Sequence, residues 1–74
     1  MMTASLANAI IATAYNLHVR KGEPMTPARA ATLPRGDRAA LCRLLEERGG
    51  SDLYSPAQAA QAFAFCVEDD RAGQ

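Results

Sequence analysis

Tryptophan is absent from this 74-residue chain, and two phenylalanines and two tyrosines are all the aromatic residues it has. Large apolar side chains of any kind are few: the sequence is 49% hydrophobic, but 16 of those residues are alanine and only 20 are larger. A domain of this size buries only about 60% of the surface its unfolded chain exposes, and alanine adds little area to that total. The composition therefore predicts a helical core completed by self-association, as a homodimer, or by docking on a partner. Net charge is lacking too, since eight Lys plus Arg balance eight Asp plus Glu. That balance argues against a strongly basic nucleic-acid binder and against an acidic mimic of nucleic acid.

Motifs that carry chemistry are missing as well. No glycine-rich phosphate loop, no nucleophile elbow and no pair of general acid and base residues occurs, so no enzyme and no cofactor is expected. Two cysteines, Cys42 and Cys66, are too few for a multi-bridge secreted scaffold and stand in no CxxC or Cys/His spacing. They are expected to be reduced and buried. The single histidine, His18, has no local nucleophile or carboxylate to work with, and a metal would need further ligands that the spacing does not supply. The longest apolar-leaning stretch, Ala4 to Val19, is interrupted by Ser5, Asn8, Thr13 and Asn16, has no basic region in front and is too short to span a bilayer. No membrane association and a cytoplasmic location are expected. Seven arginines against one lysine, with abundant alanine, fit GC-rich coding and hence a bacterium or one of its viruses.

What is present reads as helix. Thr3 or Ser5 can cap a first helix from about residue 4 to Lys21, where Gly22 and Pro24 stop it. Stepping 100° per residue gathers Leu6, Ala7, Ile10, Ile11, Ala14 and Leu17 on one arc, with Asn8, Thr13, Asn16 and Arg20 opposite and His18 at the edge. Thr26-Pro27 is a cap followed by a first-turn proline and suggests a short helical turn over 27–32. A second long helix spans 34–48, with Pro34 at its first position, a stripe of Leu41, Leu44 and Leu45 flanked by Cys42, and Gly49-Gly50 as its stop. The third, over 56–69, opens with Ser55-Pro56-Ala57-Gln58, a capping box with Tyr54 as staple. No alternating β-branched run exists, so the expected fold class is all-α. It is a small bundle of three main helices in one domain over 1–74, with a short disordered tail at about 70–74.

Two surfaces are candidates for function. On the third helix, Ala59, Ala60, Ala62, Phe63, Ala64, Cys66 and Val67 share one broad arc, whereas Phe65 points the other way among Gln58, Gln61, Glu68 and Asp69. An aromatic ring within a polar rim is what a binding anchor looks like, and these five residues form the expected partner-binding site. The acidic cluster Glu68-Asp69-Asp70 sits at a helix C-terminus, where carboxylates are mildly unfavourable. The other candidate is the middle of the chain. Residues 20–43 hold six basic residues against two acids, and residues 44–74 hold two against six. Arg29, Arg35, Arg38 and Arg43 would be the nucleic-acid contacts if Pro27 to Arg48 formed a helix-turn-helix. The expected function is a small non-catalytic interaction module, a regulator or inhibitor of the antiactivator or phage-encoded kind, which sterically occupies a surface of a larger protein. The alternative is a helix-turn-helix transcriptional regulator.

Overall fold

The structure, a computed structural model, describes residues 2–72, with side chains from Met2 to Glu68. Every element among the described residues is helical. Helix α1 spans Ala4–His18, capped by Thr3, whose backbone is extended and whose Oγ1 accepts the Leu6 N–H at 3.1 Å. It stops three residues short of the expected Lys21. The Tyr15 carbonyl there accepts both the Val19 and the Arg20 N–H, at 2.9 and 2.8 Å, which closes the last turn early. Asn16, expected on the solvent face, instead clamps the returning chain. Its Oδ1 accepts the Met25 N–H at 2.7 Å and its Nδ2 donates to the Met25 carbonyl at 2.9 Å. Gly22, at φ +87°, serves the turn of this connector and is not the residue that stops the helix.

Helix α2 is a single turn, Pro27–Ala30, with the Thr26 Oγ1 accepting the Arg29 N–H at 3.2 Å. The expected span to residue 32 is cut short. Thr32 and Leu33 make tight three-residue turns to the Arg29 and Ala30 carbonyls, at 3.0 and 3.2 Å, because the residue before Pro34 is biased away from helix. Helix α3 covers Arg35–Glu47, and Pro34 with ψ 145° is its cap and not its first residue. Its end is a Schellman motif: Gly50 N–H to Leu45 carbonyl at 2.9 Å and Gly49 N–H to Glu46 carbonyl at 3.1 Å, with both glycines at positive φ. Helix α4 spans Pro56–Ala72. The capping box forms reciprocally, the Gln58 N–H donating to Ser55 Oγ at 3.1 Å and the Ser55 N–H to Gln58 Oε1 at 2.9 Å. The helix passes the expected end at Asp69, since no residue with a stopping preference follows Pro56 until Gly73. Gly73 and Gln74, the end of the tail expected at 70–74, lie outside the described residues.

Helices α1, α3 and α4 form the bundle, α3 and α4 being the most extensively packed pair, and α2 lies on α1. The core holds Ile10 and Ile11 of α1, Cys42 and Leu45 of α3 and Cys66 of α4, with no exposed surface, among alanines 7, 14, 30, 59 and 62. Small residues let the helix axes approach. The radius of gyration is 11.0 Å, against about 11.3 Å for a compact chain of this length.

Candidate docking surface

The four arginines of the nucleic-acid alternative are dispersed in different surroundings. Arg38 is half-buried, and its Nη2 donates to Asn8 Oδ1 of α1 at 2.8 Å, joining α3 to α1. Arg43 lies over the Phe63 ring of α4, 5.0 Å from its centroid, with its Nε 3.7 Å from a Glu46 carboxylate oxygen. Arg29 donates to the Pro24 carbonyl at 3.2 Å, while Arg35 is exposed at the start of α3. A helix-turn-helix packs its two helices on each other, whereas here α2 has four residues and packs on α1.

The two thiols meet inside the bundle. Cys42 and Cys66 are free and fully buried, and their side chains are hydrogen-bonded across the α3–α4 interface. That hydrogen bond to Cys66, together with burial, drives the Cys42 thiol far above its ordinary range, which makes a nucleophilic thiolate inaccessible. His18 is half-buried, with a shielded Nε2 that has no hydrogen-bond partner. Among the described residues no group of three His, Cys, Asp or Glu could hold a metal ion, and no helix is long and apolar enough to cross a membrane.

Three of the expected partner-binding residues, Gln61, Phe65 and Glu68, fall along the seam between α1 and α4. Phe65 is not a ring standing free in a polar rim. It is half-buried and packs against the core. With Met2 just ahead of α1, Leu6 of α1, and Gln61, Ala64 and Glu68 of α4, it lines an open hollow of about 380 Å³. Gln58 is committed to the capping box, and the side chain of Asp69 lies outside the described residues.

Further along α1, where the seam gives way to the α3–α4 loop, is a second hollow of about 360 Å³, which the sequence did not announce. Thr13, Asn16 and Leu17 of α1 face Ser51, Asp52 and Leu53 of the α3–α4 loop. Leu17, assigned to the core arc from its wheel position, is 56% exposed and Leu53 is 73% exposed. The reason is local: the neighbour of Leu17 is a loop, held by Ser51, and not a helix. Ser51 Oγ accepts the Leu53 and Tyr54 N–H at 3.1 and 3.0 Å, and its own N–H donates to the Tyr54 carbonyl at 2.7 Å. This tight turn holds Leu53 outward. A large apolar residue inside a loop bracketed by Gly50 and Pro56 was the one available signal. No protein-family model, no curated protein and no solved structure matches this chain.

Proposed function

We propose that this chain is a non-catalytic protein–protein interaction module, a small bacterial or phage regulator or inhibitor that acts in the cytoplasm by covering a surface of a larger protein. The observation that carries this reading is the pair Leu17 and Leu53, at 56% and 73% exposure, on the two sides of one hollow. Leaving two leucines in water forfeits about 2 kcal/mol of burial each. A chain with only 20 large apolar residues gains nothing for its own fold by that placement. Apolar side chains that the core does not use, held by a rigid turn, are the anchors that interfaces employ. Inhibition then follows sterically, since whatever surface receives the leucines is closed to other ligands.

A photocrosslinking residue at position 53, compared with one at the exposed Arg48, tests this in cells of the source organism. The expected result is one discrete protein adduct from position 53, lost when Leu17→Lys is added and absent from position 48. Absence of any protein adduct would sink the reading. Retention on duplex DNA at low salt, abolished by Arg29→Gln with Arg35→Gln, would establish the DNA-binding alternative in its place.

A further inference from the structure

The two hollows belong to one stripe. Leu6, Thr13 and Leu17 are spaced seven and four residues apart on α1, which places them one above another on a single face. Opposite them run Leu53 and then Gln61, Phe65 and Glu68, the last three at i, i+4 and i+7 of α4. From Met2 to Leu17 the stripe is about 22 Å long at 1.5 Å per residue, the length of a four-turn helix. Its apolar residues are Leu6 and Phe65 toward one end and Leu17 and Leu53 toward the other, with Thr13 and Gln61 between them. Among the described residues, the charged ones lining the two hollows are Glu68 at one end and Asp52 at the other. Helix α1 contributes no Asp, Glu, Lys or Arg at all, and both Glu68 and Asp52 are exposed.

Resting on the interaction-module reading above, we infer that the α1–α4 seam receives an amphipathic helix of the partner protein, about 15 residues long, with an apolar stripe and Lys or Arg at both ends. Docking it would convert three helices into a four-helix arrangement, with partner side chains entering beside Phe65 and between Leu17 and Leu53. The basic ends would meet Asp52 and Glu68, setting the register of the helix along the seam and disfavouring acid-ended helices. A second copy of this chain fits less well. Placed seam to seam it sets the acids Glu68 and Asp52 of the two copies near one another, and on its basic side Arg38 and Arg43 are engaged with Asn8 and Phe63.

Designed peptides decide the matter, with binding to the full chain measured by fluorescence anisotropy at low ionic strength. One carries leucines at i, i+4, i+7 and i+11 with Lys-Arg pairs at both ends, a second has the same stripe with Glu pairs, and a third has the basic ends with serines for leucines. The first is expected to bind at least tenfold more tightly than the other two. Leu53→Asp should weaken it tenfold or more without altering helix content or melting. The double variant Asp52→Lys with Glu68→Lys should reverse the preference in favour of the Glu-ended peptide. Equal binding of the first two peptides would overturn the basic-ended partner while leaving the interaction module standing. No binding by any of them, together with a surviving adduct at position 53, would mean that the partner is not a helix. Concentration-dependent sedimentation abolished by Leu53→Asp would hand the seam to a second copy.

Discussion

Helix α4 has two neighbours and meets them differently. Toward α3 it turns Ala59, Ala62 and Cys66, all without exposed surface, against Leu41, Cys42 and Leu45, and the Arg43 guanidinium closes the edge over Phe63. Toward α1 it leaves Phe65 half-covered beside one open hollow, and ahead of its first turn a second hollow opens between α1 and the α3–α4 loop. Small residues explain both sides. Alanine and cysteine let α3 come close enough for leucines to fill the space, and a helix drawn to α3 cannot also fill the gap toward α1. The α3–α4 side is therefore where stability should reside, and the α1–α4 seam is where surface is left over for something else.

The largest test of that contrast is Leu45→Ala on the closed side. Leu45 is fully buried, and a leucine deleted from such a site costs about 2–5 kcal/mol, a large share of the stability of a domain this small. Urea unfolding should show it as a fall in midpoint at unchanged slope. A loss under about 1 kcal/mol would mean that the interface relaxes and is not closed in solution.

The thiol pair at the same interface predicts a pH dependence of definite sign. The Cys42 thiol is held far above its ordinary value of 9.0 in the folded protein. Its contribution is therefore complete below pH 9, where both folded and unfolded thiols are protonated. Above pH 9 the unfolded chain ionises and the folded one does not, so stability is lost as pH rises, by up to about 1.4 kcal/mol per unit. Between pH 9 and 11 the chain should lose up to about 2.3 kcal/mol more than Cys42→Ala does over the same range, since the unfolded thiol is only half ionised at pH 9. A flat difference between the two would show that the thiol is not sealed from water. Both cysteines should also resist thiol reagents until denaturant is added.

Gly50 couples the two sides, since it ends α3 and begins the turn that presents Leu53. At φ +79° it already disfavours a side chain, and an added Cβ would lie 2.6 Å from the Tyr54 carbonyl oxygen and 2.8 Å from Pro56. Gly49, at φ +88°, has open space around it. Gly49→Ala should cost about 1 kcal/mol from backbone strain alone. Gly50→Ala should cost clearly more in thermal unfolding, and equal losses would show that the turn yields.

The sequence carries the local signals of this fold well and its long-range pairings badly. Thr3, Thr26, the Ser55–Gln58 box and Gly49-Gly50 act within a few residues of themselves, and each does what its spacing implies. Asn16 looked like a solvent-facing residue because its partner, Met25, is nine positions away in a connector with no periodicity. Arg38 looked like a phosphate ligand because Asn8 is thirty residues earlier in the chain. A helical wheel ranks positions around one axis and has no knowledge of how many neighbours that axis has. It therefore placed Leu17 in the core, where α1 in fact faces the α3–α4 loop, and set Phe65 in water when it is half-covered.

Phe65 and Leu53 mark the open side, where effects on folding should be small. For Phe65→Ala a half-covered ring implies about 1–2 kcal/mol, well under the 3–5 kcal/mol of a phenylalanine in a closed core. A loss in that upper range would place the ring in the core and remove it from the docking stripe. Leu53 should matter least. At 73% exposure, with the turn beneath it held by Ser51, its side chain contributes almost nothing that folding needs, and Leu53→Ser should shift stability by no more than about 0.5 kcal/mol. Removing an apolar group that was already in water leaves the core contacts intact and lowers the free energy of exposed surface in both states alike. If thermal unfolding shows Leu53→Ser to cost as much as Phe65→Ala, then Leu53 is folded onto Leu17 in solution, and the seam is closed by the protein's own side chains. If the cost is negligible, the leucine stands outward without any return in stability, and its placement is left to be explained by what binds it.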